Sequence, residues 1–144
     1  MRIIAQRVKN ASVKVSGKIT GSINEGLLLL VGFTEGDDLE KINFMVRKVI
    51  NLRVFDDTNG VMNLSVKDIG GSILSVSQFT LYGDANKGNR PSYAKALKGD
   101  EAIKLYDLFN AKLKEEIHTE TGIFGAEMEV NLLNDGPITI ILEK

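Results

Sequence analysis

The chain has 144 residues and a formal net charge of −1, with 43% hydrophobic and 26% charged residues, ordinary figures for a globular chain large enough to bury a core. It has no cysteine and a single histidine, His118, which excludes disulfides, thiolate chemistry and a histidine-rich metal centre within one chain. The opening residues Met1 to Arg7 lack the apolar run of a signal peptide. The longest apolar run, Leu27 to Val31, is far too short to cross a membrane, so one cytoplasmic domain over 1–144 is the expectation.

In chain order, Arg2 to Val8 reads as a strand and Ser12 to Val15 as a second one. Ser16-Gly17-Lys18 turns the chain into a third, Ile19 to Ile23. Gly26 to Phe33 is apolar, bounded by glycines and too short for a helix, so it is expected to be a central strand buried on both faces. Asp37 or Asp38 then caps a helix to about Leu52, with Ile42, Met45, Val46 and Val49 on its buried face. Phe44 is assigned to the core with them. Arg53-Val54-Phe55 and Val61 to Val66 read as strands around the turn Asp56-Asp57-Thr58-Asn59-Gly60, whose two aspartates lack calcium-loop spacing.

Ile73 to Leu81 is the stretch around which the rest is organised. Its first half alternates as a half-buried strand does, and its second, Ser77-Gln78-Phe79-Thr80, ends that strand in three hydrogen-bonding side chains and one ring. A loop follows with Lys87, Arg90, Lys95 and Lys98 against Asp84. A second basic segment, residues 1–18, holds five basic residues and no acid. Such patches on a nearly neutral chain suit contact with a few phosphates rather than coating of long nucleic acid; solvated strand faces are the plainer explanation.

Asp100 is the expected cap of a second helix of about twenty residues. Its stripe is Ala102, Leu105, Tyr106, Phe109, Leu113 and Ile117, His118 lies in its last turn, and Thr121-Gly122 ends it. The chain closes with two strands, Glu127 to Leu133 and Ile138 to Glu143, joined by Asn134-Asp135-Gly136-Pro137. The Gly136-Pro137 bond is either trans in a hairpin turn or cis, the isomer that X-Pro bonds adopt at low cost. Many strands and two helices give an α+β domain: layered, barrel-like, antiparallel-rich β-sheets with two main helices packed on one side.

Three stretches together carry a resemblance: Ser77-Gln78-Phe79-Thr80-Leu81, Lys87-Gly88-Asn89-Arg90-Pro91-Ser92 and Asn134-Asp135-Gly136-Pro137-Ile138-Thr139. With Gln6-Arg7-Val8, Asn51 to Phe55, Met62 to Val66 and Thr121 to Ala126 in the same order, the sequence resembles the D-aminoacyl-tRNA deacylase family. The resemblance implies a cofactor-free homodimer with pockets at the subunit interface, acting on the 3′ acceptor end of aminoacyl-tRNA. Ser77, Gln78, Phe79 and Thr80 match the motif that floors the pocket. Gly136 and Pro137 match a Gly-cisPro motif that reaches into the partner's pocket and excludes L-amino acids. Glycine mischarged on tRNA is implied as a further substrate, and Lys87 and Arg90 are candidates for RNA contact. Gly83, where alanine is common, and Ala85-Asn86 depart from the pattern.

The chemistry agrees with the composition. An aminoacyl ester is already activated, and this sequence has little from which to build a Ser-His-Asp triad. A backbone N–H near Phe79 for the oxyanion and the ribose 2′-OH beside the ester are the expected catalytic groups, with Thr80 or Ser77 as covalent nucleophile the alternative. The competing functions are an editing hydrolase for a mischarged L-amino acid and a non-catalytic RNA-binding module.

Overall fold

The computed structural model describes residues 1–144. Eight strands and two helices follow in the order β1 (Arg2–Val15), β2 (Lys18–Ile23), β3 (Gly26–Gly32), α1 (Leu39–Ile50), β4 (Phe55–Asp56), β5 (Met62–Leu64), β6 (Ser72–Ser77), a 3₁₀ turn (Phe79–Tyr82), α2 (Gly99–Glu116), β7 (Thr119–Thr121) and β8 (Glu129–Glu143). The main sheet runs β2-β1-β3-β6-β7, with β8 on the free side of β1, and β4-β5 form a small second sheet. β1 is antiparallel to β2, β3 and β8, whereas β3-β6 and β6-β7 are parallel, so the sheet is mixed. It curls until β2 lies against β6 and β7, close to a closed barrel. Gly21 permits this approach: a Cβ there would stand 2.8 Å from the Thr121 carbonyl oxygen.

β3 is buried on both faces, as its apolar run and glycine boundaries predict. Leu27, Leu29 and Val31 join the helix-side core with Met45, Val49, Phe109 and Leu113. Leu28 faces the opposite way, into the barrel interior with Val8, Val13, Leu74 and Val76. The small residues that alternate along β6 do not mark a solvent face: Ile73, Leu74, Ser75 and Val76 are all buried. This follows from what covers its two faces: Ile73 joins the helix-side core, while Leu74 and Val76 enter the barrel interior.

Several boundaries differ from the sequence-based expectation, among them the small sheet, where β4 is only Phe55–Asp56 and β5 only Met62–Leu64. Arg2 to Val15 is one strand rather than two; Lys9 and Asn10, which read as a break, sit at an irregularity in its pairing with β8. The last two expected strands are likewise one, β8, and Asn134 to Pro137 form a bulge inside it rather than a hairpin. Between the pairs Gln6↔Thr139 and Val8↔Asn134, β1 has only Arg7 where β8 has Asp135 to Ile138.

Asp100 falls in the first turn of α2, not at its cap, and its charge still suits the positive end. α2 stops at Glu116 because Ile117 turns extended and Thr119 to Thr121 pair along the edge of β6. His118 therefore lies outside the helix, exposed, with Nε2 3.3 Å from Glu120.

For α1, Asp38 proves to be the cap, its carboxylate accepting from the Lys41 N–H at 2.9 Å. Asp37 instead sits buried against the α-ammonium of Met1 at 2.5 Å. Phe44 is partly exposed rather than core, with the Lys144 ammonium 4.9 Å from its ring centre. No helix is long and apolar enough to cross a membrane.

Candidate active site

β6 and β3 end side by side, and the pairing continues one step beyond them: the Gln78 N–H donates to the Val31 carbonyl at 2.8 Å. The chain then leaves the sheet in the 3₁₀ turn from Phe79 to Tyr82. The departure is close, because a Cβ on Gly32 would stand 2.9 Å from the Gln78 carbonyl oxygen. Arg2 holds the turn from below, Nη1 donating to the Leu81 carbonyl at 2.5 Å while its guanidinium lies 4.9 Å from the Tyr82 ring centre. Burial, and then the charge of Asp37, push the Tyr82 phenol up to about 12, so it stays neutral.

A cavity of about 490 Å³ opens at this strand end. Ser77, Gln78 and Phe79 line it together with the ends of β3 and β6, Leu97 and Ala102 near the start of α2, and a wall made by Phe124-Gly125-Ala126, Met128 and Val130. That wall is a turn in which Gly125 takes a φ of 75° and the Ala126 N–H donates to Ile123. No carboxylate, histidine, lysine or arginine lines the cavity, so its polar groups are the backbone, Ser77 and Gln78.

Of the expected site residues, Ser77, Gln78 and Phe79 come together in the cavity. Thr80 stands just behind them, its Oγ1 accepting from Gln78 Nε2 at 2.5 Å. Phe79 is 58% exposed at the mouth, with its ring edge-on to Tyr93 at 5.1 Å. The Phe79 and Thr80 N–H groups occupy the first turn, where a helix has no acceptor of its own to offer.

Gly136 and Pro137 are not part of this cavity. They lie on β8 in the bulge opposite Arg7, and the bond between them is cis. Lys87 and Arg90 are exposed in the loop between the 3₁₀ turn and α2, and neither is paired with an acid. The loop is closed by two backbone bonds between Asp84 and Ser92, both 2.8 Å. Its return is anchored to the end of β3 by the Leu97 N–H on Phe33 and by Thr34 Oγ1 on the Lys95 carbonyl. The Asn86 N–H, its side chain and the Lys95 ammonium hold the Asp84 carboxyl below the usual carboxylate range.

Gly83, one of the two departures, has a spatial meaning. A Cβ there would meet the Thr80 carbonyl and the Tyr93 ring, both at 3.0 Å, so the glycine lets Tyr93 close on the turn. The wall residues Phe124, Met128 and Val130 were not singled out as site residues. Their signal was present in Thr121-Gly122-Ile123-Phe124-Gly125-Ala126, a glycine-punctuated apolar segment after α2, but nothing local says which pocket it closes.

The D-Tyr-tRNA(Tyr) deacylase family profile matches residues 4–143. A solved structure described as c-Myc DNA Unwinding Element Binding Protein superimposes with a TM-score of 0.95 at 40% identity, covering 100% of this chain and 99% of that one. A second, described as a probable eukaryotic D-amino acid tRNA deacylase, superimposes with a TM-score of 0.83 at 17% identity over 98% and 97% of the two chains, a likeness of fold. With its pocket at the end of β6 and a family match spanning nearly its whole length, the chain belongs to the D-Tyr-tRNA(Tyr) deacylase family, hydrolases of the aminoacyl-tRNA ester bond.

Proposed function

We propose that this chain, as one cytoplasmic domain, clears D-amino acids from tRNA by a pocket that recognises the acyl group by shape. The observation that carries this is the cavity at the end of β6, floored by Ser77, Gln78 and Phe79 and free of any ionisable side chain. Water attacks the activated ester carbonyl. A backbone N–H at Phe79 stabilises the oxyanion, a contribution of roughly 10²–10³ in rate for such donors. The 2′-OH of the terminal adenosine helps place the water, and the protein supplies no covalent nucleophile. Lys87 and Arg90, unpaired in their loop, meet phosphates of the acceptor end.

Chirality enters through Gly136-Pro137 of a second subunit, whose carbonyls occupy the space an L side chain would need. D side chains then point outward, and glycine on tRNA-Ala, having no side chain to exclude, is also hydrolysed. The dimer is supported by β8. It pairs only with β1, leaving one edge unpaired, and its Leu133 and Ile141 side chains are 56% and 64% exposed, which together suit a second copy.

The test is amino-acid release from matched D-tyrosyl-tRNA and L-tyrosyl-tRNA without added metal. Loss of the D ester alone is expected, and loss of the L ester would make this an ordinary editing hydrolase. Salt-sensitive RNA binding with neither ester turned over would favour a binding module, a reading to which the similarity to a solved structure described as a DNA-unwinding-element binding protein lends support.

A further inference from the structure

Tyr106 belongs to α2 and is 2% exposed, yet its hydroxyl is directed at the sheet rather than at solvent. It donates to the Ser75 carbonyl at 2.8 Å, on the strand whose next residues but one are Ser77 and Gln78. The Ser75 and Asn110 side chains and the Ser77 N–H also face the hydroxyl. The same ring packs at 46° on Phe124, with centres 5.7 Å apart, and Phe124 is part of the opposite wall of the cavity. A single side chain behind the pocket thus touches both its wall and the stretch of β6 two residues before its floor.

We infer that Tyr106 is a positioning residue for ester hydrolysis: its hydroxyl sets the height of the β6 end, and its ring sets the Phe124 wall against that end. The packing alone would be served equally well by phenylalanine. The hydroxyl is therefore the informative part, because burying it demands a partner and the partner it takes is the β6 backbone leading into the pocket floor. Burial pushes the phenol up from its ordinary value, which keeps it a donor across the working pH range.

Loss of the hydroxyl does not undo the strand, since the Ser75 carbonyl also accepts from the Gly122 N–H at 3.1 Å. What is lost is the lateral restraint. A displacement of about 1 Å between reacting groups costs on the order of 10²-fold in rate, so a partial loosening is readable.

The inference rests on the deacylase reading, and turnover of D-tyrosyl-tRNA by the parent protein tests that reading separately. In Tyr106→Phe, kcat on D-tyrosyl-tRNA is expected to fall about 5- to 50-fold with KM within about two-fold of the parent. Amide exchange at Gln78, whose N–H is bonded to Val31, is expected to quicken about ten-fold while the α2 amides keep their protection. The exchange reads the floor whether or not the ester is turned over. A kcat within two-fold of the parent, or a loss that merely follows the fraction of unfolded protein, would overturn the proposal, as would unchanged exchange at Gln78.

Discussion

Arg7 stands alone on β1 opposite the four-residue bulge of β8, and its Nε lies 3.1 Å from Asp135 Oδ2, immediately before Gly136-Pro137. The same guanidinium donates through Nη1 to the Val54 carbonyl at 2.8 Å and lies 3.5 Å from Asp56 Oδ2. With its side chain only 9% exposed, Arg7 ties the bulge to the small β4-β5 sheet. Removing it strands the acceptors it satisfies. Arg7→Met is expected to lower stability by about 2–4 kcal/mol, read as a shift in the urea midpoint. The D-versus-L preference should weaken with it if Asp135 holds the selectivity segment. A midpoint unchanged from the parent would mean that the cluster contributes nothing to the fold.

Thr80 bears on the choice between water and a covalent nucleophile. Its hydroxyl accepts from Gln78, and no carboxylate or imidazole lines the cavity to take its proton. Thr80→Ala is therefore expected to keep a kcat within about ten-fold of the parent, the scale of a lost orienting contact. Complete loss of hydrolysis with tRNA binding intact would favour covalent catalysis.

Pro137 is the residue on which the proposed chiral filter is tested. Pro137→Ala should narrow the ratio of D- to L-tyrosyl-tRNA hydrolysis or abolish activity altogether. Measured on the folded variant, an undiminished ratio would remove Gly136-Pro137 from the mechanism.

Acid sensitivity has a local source in the turn after β5. Asp68 accepts from the Ser65 N–H at 2.8 Å and from the Ser65 hydroxyl at 2.7 Å, and these bonds, the backbone one first, hold its carboxyl below the usual carboxylate range. A pKa depressed by folding contributes stability above the unfolded value, and that contribution is lost as pH falls through the folded value. Urea midpoints below about pH 4 should thus drop less steeply in Asp68→Ala than in the parent. Identical slopes would show that the turn opens before the carboxylate titrates.

Parts of the fold whose information is local are legible in the amino-acid order. The glycine-bounded run of β3 must be buried, the spacing of Ile42, Met45, Val46 and Val49 sets one face of α1, and Asn59-Gly60 must turn. The grouping of Ser77, Gln78 and Phe79 was legible for the same reason, since three consecutive residues at a strand end remain neighbours however the chain folds. What tertiary structure decided is what depends on a partner strand. Whether Lys9-Asn10 or Asn134 to Pro137 is a turn or a bulge depends on the continuity of the strand opposite, and each is bridged because β1 and β8 run side by side over nearly their whole length. β6 is buried on both faces because the helices cover one and the barrel interior the other, and α2 ends four residues early because Thr119 to Thr121 pair along the edge of β6. The wall at Phe124 and the anchor at Tyr106 belong to the same class. Their roles come from meeting the end of β6, a contact between segments some thirty to fifty residues apart that no local pattern encodes.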